Sequence, residues 1–224
     1  MNLKRHIRIR IYKNTLVVER GDILKQLTII GKPNVGKTLF LINFAEFLGI
    51  KELEFEVSSL DGLKMIKRYS IKKALEELVD NNIHKTRQIY SIIINVPLNK
   101  GKKTVKFIDT VGFIDNIHPE KDIRKGIAYT LQLIQQTDII LHIIDSSAID
   151  KNLPNSLSDI DFTIAKFAEI KKGYCILANK IDLPEGKENF EKIRILFRGN
   201  LVIPISAKYK KGFKEVKSFV ISSI

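Results

Sequence analysis

Gly31-Lys32-Pro33-Asn34-Val35-Gly36-Lys37-Thr38 follows the apolar run Gln26-Leu27-Thr28-Ile29-Ile30 and leads into Leu39-Phe40-Leu41-Ile42. The spacing fits G-x-x-x-x-G-K-[ST], and a position between a strand and an amphipathic helix is the context that makes this pattern a phosphate-binding loop. Glycines let the backbone curl so that successive N–H groups and the helix N-terminus face a β-phosphate. Lys37 adds a cation toward the β- and γ-phosphates, and the Thr38 hydroxyl is a ligand for Mg2+. The stretch predicts a nucleoside triphosphate held by Asn34, Val35, Gly36, Lys37 and Thr38, and leaves the base open.

Outward from this loop, short β-branched runs alternate with segments of helical periodicity. The runs end at Ile30, Ile108, Ile144, Ala178 and Ile205. Near-continuous apolar runs are what strands buried on both faces look like. Helices are expected at about 37–48, 119–136, 155–171, 187–197 and 211–222. Gln88–Val96 joins the strand ending at Asp109 through a turn around Asn99-Lys100-Gly101, so these two strands must be antiparallel. The predicted fold is α/β of the P-loop NTPase (small GTPase) type, a mostly parallel sheet with one antiparallel strand and helices on both faces.

Three further motifs stand in the order such a fold requires. Asp109-Thr110-Val111-Gly112 ends an apolar strand, which puts Asp109 at the carboxyl edge of the sheet as a magnesium-site carboxylate and the Gly112 N–H near the γ-phosphate. Asn179-Lys180-Ile181-Asp182 speaks for guanine. The Asp182 carboxylate can accept from both N1–H and the exocyclic amine of guanine, a donor pair that adenine lacks. Two charge-assisted hydrogen bonds of about 1.5–3 kcal/mol each give roughly a hundredfold preference or more. Asn179 is expected to tie the base loop to the phosphate loop, and the Lys180 stem to cover the base. Ser206-Ala207-Lys208 is placed to offer a backbone N–H to guanine O6. A threonine that senses magnesium and the γ-phosphate must precede the antiparallel strand, and Thr86 in His84-Lys85-Thr86-Arg87 is assigned that part ahead of Thr104, which falls within a strand.

Two segments lie outside this plan. Residues 1–25 form a basic extension in which Lys4, Arg5, Arg8, Arg10, Lys13, Arg20 and Lys25 oppose only Glu19 and Asp22. His6–Ile11 alternates strictly and pairs in expectation with Leu16-Val17-Val18 as a hairpin, either a solvated edge or a basic docking face. Residues 26–224 are read as the nucleotide domain, with an enlarged switch I insertion at about 50–85. Within the insertion, Leu60–Tyr69 and Ile71–Val79 are read as amphipathic helix with Leu75, Leu78 and Val79 on one stripe. That helix either docks a partner and moves with Thr86 or packs permanently on the core.

The net charge of +13 favours an anionic partner such as a ribosome or RNA, although a lysine-rich genome bias would give the same excess. Cys175, the single cysteine, lies in an apolar run and reads as a core residue in a reducing compartment. No segment reaches signal-peptide or membrane-span character, so the expected location is cytoplasmic.

These motifs resemble those of the translation-factor-related (TRAFAC) GTPases, within them the Era, MnmE and Obg–HflX group. Gly31–Thr38 is similar to the G-x-P-N-V-G-K-[ST] of that branch, and Thr86-Arg87 to its T-T-R with Lys85 replacing the first threonine. Asp109-Thr110-Val111-Gly112-Phe113-Ile114, with Leu141–Asp145 after a helix, most resembles the HflX G domain. Lys125-Gly126-Ile127-Ala128 is similar to MnmE, whose C-terminal cysteine motif has no match here. HflX proteins carry a large domain where this sequence has about 25 residues, so a ribosome-splitting role is not carried over. The resemblance implies GTP/GDP as ligand, Mg2+ held by Thr38, Thr86 and Asp109, and hydrolysis of GTP involving Lys37, Thr86, Gly112 and Asn34. Phe113 stands where many GTPases place a water-orienting glutamine, and a phenyl ring cannot do that. In relatives with this loop an asparagine at the place of Asn34 can ligate K+; alternatively Asn34 is a turn residue. Three readings follow: a GTP-hydrolysing switch on ribosomes or structured RNA, a guanine-nucleotide sensor with little turnover, and a membrane-surface regulatory GTPase. A nucleotide-dependent dimer is one assembly such a switch could form.

Overall fold

The computed structural model describes residues 7–12, 15–20, 24–59, 63–79, 88–113, 121–150, 155–169, 171 and 173–224. Its strands are β1 (Ile7–Tyr12), β2 (Thr15–Arg20), β3 (Lys25–Ile30), β4 (Glu52–Ser58), β5 (Lys64–Ser70), β6 (Ile89–Pro97), β7 (Lys102–Asp109), β8 (Ile139–Asp145), β9 (Gly173–Asn179) and β10 (Val202–Pro204). Its helices are α1 (Lys37–Phe47), α2 (Ile71–Leu78), α3 (Lys121–Gln136), α4 (Asp159–Ala168), α5 (Pro184–Leu196) and α6 (Phe213–Ser223). β1 and β2 pair antiparallel as a separate two-stranded ladder.

The remaining strands form one sheet in the order β10-β9-β8-β3-β7-β6-β4-β5. From β10 to β7 all neighbours are parallel, and β6 runs antiparallel to β7. Because β3 lies between β7 and β8, the loop after it emerges at the point where the strand order reverses, the crevice in which open α/β sheets bind ligands.

Each central strand feeds two cores. Leu27, Ile29, Leu141, Ile143, Cys175 and Leu177 point into a cluster with Phe40 and Phe44 of α1, Ala74 of α2 and Phe213 of α6. Their neighbours Ile30, Ile140, Ile144, Ile176 and Ala178 point into a second cluster with Ile134 of α3, Ile164 of α4 and Ile193 of α5. Alternation along a pleated strand sends successive side chains to opposite faces, so apolar residues at both parities demand helices on both sides. In the first cluster Phe40, Phe44 and Phe213 pack ring on ring at centroid distances of 5.1–5.4 Å. Cys175 is fully buried, and burial pushes its thiol well above the usual range.

Helix ends follow local chemistry. α5 starts at Pro184, three residues before the expected 187, because proline suits the first helical position. α4 starts after Ser158 rather than at 155, where the Asp161 carboxylate accepts from the Ser158 N–H in a capping box.

The insertion requires a correction. Residues 64–70, read from sequence as helix, are strand β5, antiparallel to β4, and β4 in turn pairs with β6. The signal was Glu52-Leu53-Glu54-Phe55-Glu56-Val57, where Leu53, Phe55 and Val57 are buried and the glutamates face out. Arg68 pairs with Glu54 at 2.7 Å and Lys64 with Glu56 at 3.4 Å, so an acidic strand faces a basic one. β5 passes directly into α2, whose Ser70 N-cap oxygen accepts from the Lys73 N–H. Ala74 is fully buried, and Ile71, Leu75, Leu78 and Val79 pack on the first core cluster. In this structure the helix packs on the core through these residues.

Ala74→Glu should therefore destabilise the protein by about 3 kcal/mol or more, since it leaves an unpaired charge in the core. Lys72→Ala on the exposed face of the same helix should change stability by no more than about 0.5 kcal/mol. Urea unfolding of both variants checks this; equal effects would mean that α2 is not anchored through Ala74.

Candidate functional site

The loop after β3 is held in an unusual backbone shape. Gly36 has φ +98° and non-glycine Asn34 has φ +60°. A Cβ on Gly36 would sit 2.5 Å from Nδ2 of Asn179, so glycine is needed for both conformation and space. Lys37 folds back across the loop and donates to the Lys32 carbonyl at 2.7 Å. Burial lowers its ammonium pKa to about 8, with Asp109 partly opposing the shift.

Thr38, at the start of α1, donates its hydroxyl to Asp109 Oδ2 at 2.5 Å. Asp109 ends β7 fully buried, and its Oδ1 has no hydrogen-bond partner. Burial raises its pKa to about 6, against the pull of Lys37, the Thr38 hydroxyl and the Thr110 N–H. An orphaned carboxylate oxygen beside a hydroxyl is an all-oxygen donor set suited to a hard divalent cation. The residues present therefore fit Mg2+. Gly112 follows against the phosphate loop, where a Cβ would lie 2.6 Å from the Pro33 nitrogen. The Phe113 N–H donates to the Gly31 carbonyl at 3.1 Å, and the Phe113 ring is buried in the second core cluster.

The base-side motifs meet through one amide. Asn179, at the end of β9, donates to the Val35 carbonyl at 2.7 Å and accepts from the Ala207 N–H at 2.9 Å. Asn43 of α1 donates to the Ala207 carbonyl at 2.7 Å. Ser206 is buried and bridges to Lys211 across the tip of the third loop, while Lys208 is exposed. Lys180, at φ +68°, reaches Asp145 Oδ2 at 2.5 Å, and Asp182 is half-buried on the turn before α5. The structure thus brings together Val35, Asn179 and Ala207, and separately Lys37, Thr38 and Asp109. Asn34 is exposed at the loop's rim. Thr86 lies outside the described residues. Its rival Thr104 is inside β7, bonded to Asn95 at 2.9 Å.

Three sets of groups carry no role assigned from the sequence. Lys32 is 1% exposed, and its ammonium donates to the Ser156 carbonyl and the Ser158 hydroxyl, both at 2.9 Å. The phosphate loop is thereby fastened to the N-terminus of α4. Behind Ser158, Asp161 lies 3.1 Å from His142 Nε2, and His142 Nδ1 lies 3.0 Å from the Tyr174 hydroxyl, a fully buried polar chain. Ser158-x-x-Asp161 was legible as a capping signal; nothing local marks Lys32. Asp145, which holds Lys180, was quoted only as part of a strand.

A family model described as 50S ribosome-binding GTPase matches residues 65–180, about half of the chain and a span that includes Asp109 to Gly112 and ends at Lys180. GTPase HflX of Hyperthermus butylicus is 37% identical over 121 residues, which cover 50% of this chain and 31% of HflX. GTPase Der of Buchnera aphidicola is 28% identical over 219 residues, which cover 96% of this chain and 41% of Der. The chain therefore spans less than half the length of these curated relatives. Among solved structures, Aquifex aeolicus Era bound to GDP·AlF4− matches with a TM-score of 0.61 at 22% identity, covering 90% of this chain and 57% of that one. Era in complex with MgGDPNP and nucleotides 1506–1542 of 16S ribosomal RNA matches with a TM-score of 0.59 at 22% identity, covering 89% and 56%. At this identity the structural likeness concerns the fold alone.

The two shifted groups set a pH profile for the unliganded protein. Asp109 titrates at about 6 when folded against 3.8 ordinarily, so its ionisation favours the unfolded chain and stability falls as pH rises from about 4 to 6. Lys37 titrates at about 8 against 10.5, so stability recovers as pH rises from about 8 toward 10. The acid-side change is on the order of 3 kcal/mol. Asp109→Asn should remove it, as read from urea midpoints across pH; a variant that keeps the full fall would show that another group causes it.

Proposed function

Because the chain belongs to the 50S ribosome-binding GTPase family, we propose that it binds GTP and GDP and hydrolyses GTP to GDP and phosphate as a molecular switch acting on ribosomes or structured RNA. The observation that carries this reading is the Asn179 amide, which spans the phosphate loop at Val35 and the base loop at Ala207. A base read by Asp182 and Ala207 is then held in register with phosphates at Lys37.

In this reading Gly36, Lys37 and Thr38 cradle the phosphates, Lys180 and Lys208 flank the base, and Ser206 shapes the loop that offers the Ala207 N–H to guanine O6. Thr38, Thr86 and Asp109 hold Mg2+. Bound there, Mg2+ neutralises charge that develops on the phosphate oxygens. The Gly112 N–H and Thr86 detect the γ-phosphate, so loss of that phosphate releases both segments.

The water-orienting step is where this chain departs from a glutamine-bearing GTPase. Phe113 is 1% exposed, so its side chain takes no part in positioning water. Charge stabilisation must come from elsewhere, and Asn34 as a K+ ligand at the loop's rim supplies it; an arginine in the comparable position elsewhere accounts for about 10³–10⁵ in rate. The same buried Phe113 favours a second reading, a guanine-nucleotide sensor with little intrinsic turnover.

A ribosome or RNA partner accords with the net charge of +13, and Era is a fold neighbour solved with a segment of 16S ribosomal RNA. No described helix is long and apolar enough to cross a membrane. A cytoplasmic setting is part of the proposal.

Two measurements test it. Asp182→Asn should lower GDP affinity by about a hundredfold or more while leaving the weak affinity for ADP unchanged; equal loss for both would move base recognition elsewhere. Single-turnover hydrolysis should rise roughly tenfold or more when K+ replaces Na+, and Asn34→Ala should abolish the rise. Equal rates in the two salts would remove the potassium role, and acceleration only by added ribosomes would assign the missing group to the partner. No GTP turnover under any of these conditions would leave the sensor reading.

A further inference from the structure

The loop assigned to the base site runs on into a second, exposed and basic stretch. Lys208-Tyr209-Lys210-Lys211-Gly212-Phe213-Lys214-Glu215-Val216-Lys217 contains five lysines and one glutamate. Tyr209 is 58% exposed, and the Lys208 ammonium stands 5.2 Å from its ring centroid. Lys211 and Lys214 are exposed and Lys217 is half-buried. Phe213 and Val216 are fully buried and Glu215 is exposed beside the lysines, so the outward face carries one aromatic ring and a net positive charge.

The backbone that carries the ring is held in place. The Tyr209 N–H donates to Ser206 Oγ at 3.1 Å, Ser206 and Lys211 close the loop by a bridge, and Lys210 sits at φ +56°. Lys210 is tied to Glu46 of α1, and Ala207 just before is gripped on its N–H by Asn179 and on its carbonyl by Asn43. A backbone fixed in this way leaves less freedom to lose when something stacks on the ring.

An exposed aromatic ring with the Lys208 cation over one face and further lysines along the same stretch has the chemistry of single-stranded nucleic-acid recognition, in which the ring stacks an unpaired base and lysines take the adjoining phosphates. A membrane surface would instead call for several apolar anchors beside the basic ones, and Tyr209 has lysines as its exposed sequence neighbours. We propose that residues 208–217 form a single-stranded RNA-binding surface in which Tyr209 stacks a base and Lys211, Lys214 and Lys217 contact the flanking phosphates. It deepens the RNA-acting GTPase reading and rests on it. Buried Ala207, the residue before this stretch, joins it to the guanine loop.

The test uses the full chain loaded with GDP and a fluorescein-labelled, unstructured RNA of about a dozen nucleotides, read by anisotropy at several salt concentrations. Tyr209→Ala should weaken binding about 5- to 100-fold with the salt slope unchanged, and Tyr209→Phe should restore it. Lys211→Ala combined with Lys214→Ala should weaken binding and reduce the salt slope by roughly 1.4. GDP affinity and melting temperature, measured on every variant, should stay at the unsubstituted values. RNA binding that ignores all three positions while GDP still binds would overturn this surface and leave the nucleotide reading intact; loss of GDP binding by the unsubstituted chain would overturn the latter. Phosphatidylserine vesicles run in parallel should not depend on Tyr209, and dependence there without dependence for RNA would also overturn the proposal.

Discussion

The side-chain amide of Asn179 is the interaction on which the site depends, because it is the only described side chain bonded to both the phosphate loop and the third loop. Both of its bonds are buried, and its nitrogen lies where any residue larger than glycine at position 36 would collide with it. Removing the amide would strand the Val35 carbonyl and the Ala207 N–H without partners, a cost of about 1–3 kcal/mol for each buried group. Each of the three loops also holds one non-glycine residue in the left-handed region, Asn34, Lys180 and Lys210. Such conformations persist only where surrounding contacts over-determine them, and they gather at ligand sites.

Charge is arranged with the same economy. Lys37 and Asp109 are both buried, and burial moves each toward its neutral form. Neither shift helps the unliganded fold. A buried cation and a carboxylate with one unsatisfied oxygen are instead the groups that the proposed polyanion and divalent metal would engage. The Lys32 ammonium, bonded to Ser156 and Ser158, shows the contrasting case of a buried cation whose bonds within the protein fasten one loop to the next.

The motifs legible in the sequence are those whose chemistry is local. A curl of glycines, a carboxylate at a strand end and an asparagine-lysine-x-aspartate turn each require neighbouring residue types, so their spacing survives in one dimension. The central strands were equally plain, since double-sided burial leaves continuous apolar runs. The β4–β5 hairpin was missed because Leu63 and Ile66 lie three apart and imitate helical spacing, while the decisive alternation stood earlier, in Glu52 to Val57. Lys32 was illegible for a different reason: its partners lie 124 and 126 positions away, and no local pattern foretells a contact of that range.

The hairpin's place in the sheet bears on how such a protein can change. β4 and β5 lie beyond β6 at the outer edge, whereas the register that sets Ile29 beside Asp109, and Asp145 beside Asn179, lies in the middle. A one-residue slip there would turn Asp109 to the opposite face. Material added at the rim leaves that alignment untouched. Lys64, Lys67 and Arg68 along the free strand keep the growing edge from recruiting a neighbour's strand.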